Sequence, residues 1–326
     1  MRILILGGTR FIGPAVLMRL HDAGHAVTLF HRGATHTDGL PDVPHLHGDR
    51  GQLAAFRATF AALAPEVVLD MAPATEGDAR AVMETFRGIA GRVIAISSCD
   101  VYRAFGVLIG TEDGPADPVP IAEDAPLRQH LYPHRGESFR TSDDERRWKE
   151  EYDKILVERA VLGDARLSGT VLRLPLVYGP RDNQHRLLPY LRRMDAGEPQ
   201  ITLDTRLAGW QASRGYVENV AVAIAATVID DRARGRIYNV AELDALTEAA
   251  WVQAIADAAG WDGEIIAMSP EELPKEQRVT MSVTQPLVID SRRIREELGY
   301  QERVARTDAL RETVAWERAN PPLAIP

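Results

Sequence analysis

Three glycines near the start of the chain have the spacing of a phosphate-binding turn. The run ILILGGTRFIG, from Ile3 to Gly13, carries an apolar segment straight into Gly7 and Gly8, and Gly13 opens a segment of helical periodicity. Gly7 permits the tight turn and Gly13 permits close approach of helix to strand. The helix then begins with free N–H groups and the positive end of its dipole, which together receive a pyrophosphate. Gly7, Gly8, Thr9, Arg10, Phe11, Ile12 and Gly13 are therefore expected to hold a nicotinamide dinucleotide. Arg10 replaces the usual middle glycine, and Phe30-His31-Arg32 ends the next apolar run with no Asp or Glu to hold a ribose 2′-hydroxyl. Arg10 and Arg32 suit a 2′-phosphate, which puts NADP ahead of NAD. The plainer alternative has Arg32 stacked on the adenine or turned to solvent.

That turn needs a frame, and the apolar spacing supplies one. Ile3–Leu6, Val27–Phe30, His45–Gly48, Glu66–Asp70, Arg92–Ser97 and Thr170–Leu174 read as strands. Helical patterns cover Ile12–Ala23, a segment ending at Leu63, Ala79–Ala90 and Glu150–Leu162. Continuously apolar strands alternating with helices predict an α/β fold, a Rossmann-type doubly wound parallel sheet covered on both faces. Beyond Pro175 the pattern becomes mixed, as for a smaller C-terminal substrate-binding domain. The expected division is 1–174, rejoined by about 216–241 and 286–298, for the dinucleotide, and 175–215, 242–285 and 299–326 for the substrate.

Gly106 to Arg147 breaks the alternation, being rich in Pro, Asp, Glu and Arg. A stretch this long without periodicity is either a functional loop or a solvated insertion, and both readings stand. Within it Leu131-Tyr132-Pro133-His134-Arg135 gathers a phenol, an imidazole and a guanidinium. Arg135 has the geometry to clasp a carboxylate or phosphate.

The 326 residues are 45% hydrophobic and 26% charged, with a net charge of -9. That balance is globular, and it disfavours nucleic acid and anionic membranes as partners. The single cysteine, Cys99, excludes an intrachain disulfide and fits a reducing compartment. It is expected to be an inert, buried side chain. No signal-peptide pattern and no membrane-length apolar run is present, so a cytoplasmic location is expected. The nine histidines lack metal-type spacing, so no metal is expected.

Several motifs, in order, resemble the extended and atypical short-chain dehydrogenase/reductases, the NAD-dependent epimerase/dehydratase family. GGTRFIG with HAVTLFHRG is similar to the branch that includes the chloroplast stem-loop-binding proteins and their bacterial relatives. HGDR (47–50), LDMAPAT (69–75), ISSCDVY (96–102), LRLPLVYGP (172–180), RGYVENVA (214–221), GRIYNVA (235–241) and IDSRRIREELGY (289–300) follow. The resemblance implies that Asp49 and Arg50 sit by the adenine. It implies that Met71, Ala72, Pro73, Ser97, Pro175 and Val177 line the cofactor. Tyr102, Tyr132, Arg135, Arg181 and Arg214 would face the substrate, with Asn183 and His185 near it. Arg214 stands where relatives grip a nucleotide diphosphate, or else in a salt bridge between domains. A homodimer is a further implication.

The resemblance also implies hydride transfer with a Ser/Thr–Tyr–Lys set. Ser98 takes the serine position, and Lys154, supported by Glu158, takes the lysine position, where it would hold the nicotinamide ribose. The tyrosine departs from the pattern. Four residues before Lys154 stands Glu150, and the nearest tyrosine, Tyr152, is only two residues away. Two residues of regular helix rotate a side chain by about 200°, so Tyr152 and Lys154 cannot share a helical face. Three readings remain open. Tyr152 precedes the first turn and is turned inward; Glu150, Tyr132 or another loop residue is the acid/base; or the fold binds cofactor without turnover. The expected function is an NAD(P)-dependent oxidoreductase or epimerase acting on a sugar-like or nucleotide-sugar substrate. An RNA-binding protein and a cofactor-binding regulator are the alternatives.

Overall fold

A seven-stranded parallel sheet runs through the molecule in the order β10-β6-β5-β4-β1-β2-β3. In this computed structural model, the described residues are 1–34, 39–136 and 148–322. The strands are β1 (Arg2–Leu6), β2 (Ala26–His31), β3 (His45–His47), β4 (Val67–Asp70), β5 (Arg92–Ser98), β6 (Ser168–Leu174) and β10 (Ile237–Asn239). β1, β4 and β5 are buried nearly end to end, which is why their sequences show no alternation. One face is covered by α1 (Ile12–Asp22) and α8 (Val217–Ile229), whose Val16, Leu20, Val220 and Ile224 interlock with Ile3, Ile5 and Leu69. The other carries α2 (Arg57–Leu63), α3 (Glu76–Phe86) and α5 (Lys154–Leu162), with Phe60, Val82, Phe86 and Val157 against Leu4, Val68 and Val93. Further α-helices among the described residues are α4 (Arg103–Ile109), α6 (Leu188–Asp195), α7 (Thr205–Ala208), α9 (Glu248–Ala259), α10 (Arg292–Leu298) and α11 (Arg306–Ala319).

Two small parallel pairs lie outside the main sheet. β8 (Gln200–Asp204) pairs with β11 (Glu264–Met268), and β7 (Leu176–Tyr178) with β9 (Arg214–Tyr216). Among the described residues no helix is long and apolar enough to cross a membrane.

The strand positions expected from sequence hold, but two helix starts do not. α3 begins at Glu76 rather than Ala79, because Thr75 and Asp78 form a capping box. The helix expected from Glu150 starts at Lys154 instead. Residues 148–151 are helical, but the ladder stops at Tyr152, whose N–H reaches Lys149 O. Asp153 is extended (φ -159°, ψ 112°), gives its N–H to Ala74 O and caps the new helix through Ile155 N.

The aperiodic stretch is only partly solvated where it is described, up to residue 136: residues 113–116 and 118–120 are exposed, whereas other positions are anchored in the core. Ile121 is buried with Tyr102, Trp210 and Ile289, and Glu123 and Arg128 are buried as well. Residues 137–147 lie outside the described residues.

Candidate active site

The glycine turn has the expected form. Gly7 and Gly8 both have positive φ, +84° and +83°, which L side chains rarely adopt. A Cβ on Gly13 would come within 2.2 Å of Gly8 O, so only glycine lets α1 start so close to the turn. Phe11, the residue before α1, is itself at φ 45°. No side chain caps α1 and no acidic residue stands in its first turn, which leaves that end suited to an anion. Met71 packs beside Gly7 and Gly8. These residues fit a dinucleotide pyrophosphate. Arg10 and Arg32 are exposed at the rim, with Arg32 directly after β2.

The C-terminal ends of β4 and β5 and the start of α5 converge next to this turn. Lys154 is buried, and its Nζ donates to Pro73 O (2.6 Å) and Ile96 O (3.0 Å). An ammonium has three donors, and among the described residues two of them are taken by these carbonyls. Burial lowers the Lys154 pKa to about 8, against the opposing pull of Asp100 and Asp70.

Tyr152 faces the same place. Its hydroxyl donates to Asp100 Oδ2 at 2.6 Å, and its ring centre lies 5.7 Å from Lys154 Nζ. The two-residue spacing works because Asp153 between them is extended. In extended chain, residues i and i+2 project to one side, whereas on a helix they diverge. The carboxylate of Asp153 fixes this bend: it accepts from Ile155 N, from Tyr132 N at 2.6 Å, and faces the buried Arg128 guanidinium at 3.4 Å. Arg128 also donates to Asp100 O and His130 O.

Ser98 ends β5, and its Oγ accepts from Asp100 N at 3.2 Å, which folds the turn Cys99–Val101 and tucks Asp100 inward. The Asp100 carboxyl is buried. Oδ1 has no hydrogen-bond partner among the described residues. Burial raises its pKa against the lowering influence of Tyr152, Arg128, Lys154 and His134, while burial and the Asp100 carboxylate push the Tyr152 phenol well above 10. Burial also pushes the Cys99 thiol up to about 12, which leaves it protonated and unreactive.

Of the loop residues, His134 lies against Tyr152, and Tyr132 meets Asp153 through its main-chain N–H. His134 and Trp148 flank the Tyr152 ring at 5.4 and 6.0 Å between centres, and Arg135 lies 3.7 Å over the Tyr132 ring. Arg135 Nε points to Glu150 O at 3.4 Å. Arg181 is exposed at φ 70° in the turn after β7.

Other expected residues are placed differently. Tyr102 is fully buried, its hydroxyl donating to Asn239 Oδ1 and accepting from Arg173, so it presents no group to a substrate. Glu158 does not support Lys154; it forms a two-point pair with Arg173 and accepts from Ser97 Oγ at 2.6 Å. Ser97 is thereby turned into the core, and Pro175 and Val177 are buried too. Arg50 bridges Asp70 and Asp78 and donates to Ala72 O, tying β4 to α3. Asp49 caps the turn at Gly51 N. Arg214 is buried, paired with Glu248 and stacked on Trp251, which is the inter-element salt bridge and not an open anion grip. His185 pairs with Glu317 and stacks on Trp316 of α11. Sequence reasoning missed Asp100, Arg128 and Asp153. The Asp153 cap was legible in the D-K-I start of α5; the other two carry no local signal. Among the described residues no group of His, Cys, Asp and Glu could hold a metal.

Comparison with known proteins finds chains of similar sequence and structures of the same fold. The chain is 26% identical over 286 residues to the chloroplast stem-loop binding protein of 41 kDa b of Arabidopsis thaliana, covering 83% of this chain and 67% of that one. It is 25% identical over 251 residues to the 2'-dehydrokanamycin reductase of Streptomyces kanamyceticus, covering 74% of this chain and 62% of that one. The chain thus spans about two thirds of these relatives' lengths. The fold is that of the UDP-glucose 4-epimerases of Thermotoga maritima (TM-score 0.69, 18% identity, 98% of this chain and 99% of that one) and Thermus thermophilus (TM-score 0.65, 21% identity, the same coverage). The family model described as the NAD dependent epimerase/dehydratase family matches residues 3–119, which hold the glycine turn and the Ser98–Asp100 segment.

Proposed function

We propose that the protein is an NADP-preferring oxidoreductase or epimerase that interconverts a carbinol and a carbonyl on a sugar-like substrate. The observation that carries this reading is the convergence of Tyr152 and Lys154 through the extended residue Asp153. It favours the first of the three readings for the acid/base, with Tyr152 turned inward ahead of the helix. The nicotinamide, when bound, supplies the two-electron donor or acceptor.

The chain supplies the rest. The α1 end and the Gly7–Gly13 turn would hold the pyrophosphate, with Arg32 beside the adenine ribose. Lys154 would orient the nicotinamide ribose. Ser98 would hydrogen-bond the reacting oxygen, and Tyr152 would move its proton, because a carbinol losing its C–H hydrogen must also lose its hydroxyl proton. The buried Arg214–Glu248 pair favours a sugar-like substrate without a nucleotide diphosphate. The 2'-dehydrokanamycin reductase relative points to a sugar-bearing small molecule in the same way.

The test is turnover of NADPH with a panel of keto-sugars and keto-aminoglycosides, read by loss of its absorbance. Tyr152→Phe should lower any such turnover by about 10² to 10⁴. Tight cofactor binding with no turnover on any substrate would replace this reading with that of a regulator. The likeness to the stem-loop binding protein favours RNA as a second reading. Salt-dependent retention of RNA would establish it, against the expectation from a net charge of -9.

A further inference from the structure

Asp100 lies behind the tyrosine, and none of the roles above uses it. Its Oδ2 receives the Tyr152 hydroxyl at 2.6 Å. Its Oδ1 is buried and unpartnered among the described residues, which is a costly state for a carboxylate oxygen unless the group exchanges a proton or receives a ligand. The backbone around it is held rigidly. Asp100 N sits on Ser98 Oγ, and Asp100 O receives the Arg128 guanidinium, which also faces Asp153. Three elements thus fix one carboxyl against one phenol: the end of β5, the loop through Arg128, and the extended link at Asp153.

We infer that Asp100 is the proton-accepting partner of Tyr152, so that the two groups work as a relay and not as a lone phenolate. The inference rests on the proposed carbinol–carbonyl chemistry. In the oxidative direction the substrate O–H bond breaks and its proton passes to Tyr152 Oη, while the proton on Oη passes to Asp100 Oδ2. The electron pair of the C–H bond leaves with its hydrogen to the oxidised nicotinamide dinucleotide. Alcohol and carboxylate become carbonyl and carboxylic acid, and the reductive direction runs each transfer in reverse. Tyr152 is never required to exist as an isolated anion. That suits its setting, where burial and the neighbouring carboxylate oppose the phenolate. Asp100 is accordingly a positioning residue that acts through Tyr152. The groups facing it are Tyr152, Arg128, Lys154 and His134, with the Cys99 thiol adjacent.

The test compares the wild-type chain with Tyr152→Phe, Asp100→Asn and Asp100→Ser. The ultraviolet absorbance of tyrosinate is followed against pH, and the Tyr152→Phe curve is subtracted to isolate Tyr152. In the wild type Tyr152 should titrate above the ordinary phenol value of about 10. In whichever Asp100 variant folds it should titrate at least about one unit lower, since a negative charge has been removed. Oxidative turnover near neutral pH should fall by on the order of 10² in the variants and recover as pH rises and the phenolate forms. A merely structural role would lower the rate equally at all pH values. A Tyr152 titration that does not move on loss of the Asp100 carboxylate, or a pH-independent loss of rate, overturns the relay. Cofactor binding is measured separately by fluorescence. Its absence in the wild type would sink the proposed function, while the titration would still decide whether the pair exists.

Discussion

Lys154 donates to two main-chain carbonyls, Pro73 O in the segment after β4 and Ile96 O within β5, and so ties these two segments together at the point where α5 begins. Its buried ammonium titrates at about 8. The charged form prevails below that pH and is lost as pH rises through it. Cofactor affinity should therefore be flat on the acid side of about pH 8 and weaken above it, measured by fluorescence titration. Lys154→Met should be weaker throughout and lose this pH dependence; a variant that keeps it would assign the limb to another group. At the other end of the cofactor site, Arg32→Ala should raise the dissociation constant of NADP by about tenfold, the worth of one charge-assisted contact, and leave that of NAD nearly unchanged. Equal losses for the two would remove the argument for a 2′-phosphate.

At the scale of elements, the site depends on a helix that stops and restarts. The spacing of Tyr152 and Lys154 in the sequence suggests a lost tyrosine if one helix is assumed to run from Glu150 to Leu162. The break at Asp153 removes the conflict, and the break is built by long-range contacts: Ala74 O, Tyr132 N and Arg128 come from segments far away in the chain. Periodicity cannot report such contacts, so the sequence showed the conflict but not its resolution. By contrast, the glycine turn and the strands β1, β4 and β5 were legible because local sterics and complete burial determine them. Asp153→Ala should cost about 2–4 kcal/mol in thermal or urea unfolding, from the lost cap and the unpaired Arg128. Asp153→Asn, which still has an oxygen for Ile155 N, should cost less. Both should be measured for turnover where they remain folded. If Asp153→Ala loses stability but keeps full turnover, the extended link does not position Tyr152.

At the scale of the molecule, the polar side chains buried away from the cofactor turn are mostly spent on holding segments together. Arg173 joins α5, the loop at Glu123 and Tyr102; Arg50 joins β4 and α3; and Arg214 joins β9 to α9 through Glu248, whose other oxygen receives Tyr190. The family resemblance leads to the expectation that Arg214 faces an anionic substrate, yet removing its partner's charge would leave a buried cation uncompensated, a change that typically costs several kcal/mol. A nucleotide diphosphate would have to displace Glu248 and forfeit that pairing. UDP should thus leave the melting temperature unchanged, whereas NADP at a hundredfold excess over its dissociation constant should add about 2.7 kcal/mol of stability and raise it. A UDP-dependent rise that disappears in Arg214→Ala would mean that the Glu248 pair opens for ligand, and the substrate would then be a nucleotide sugar after all.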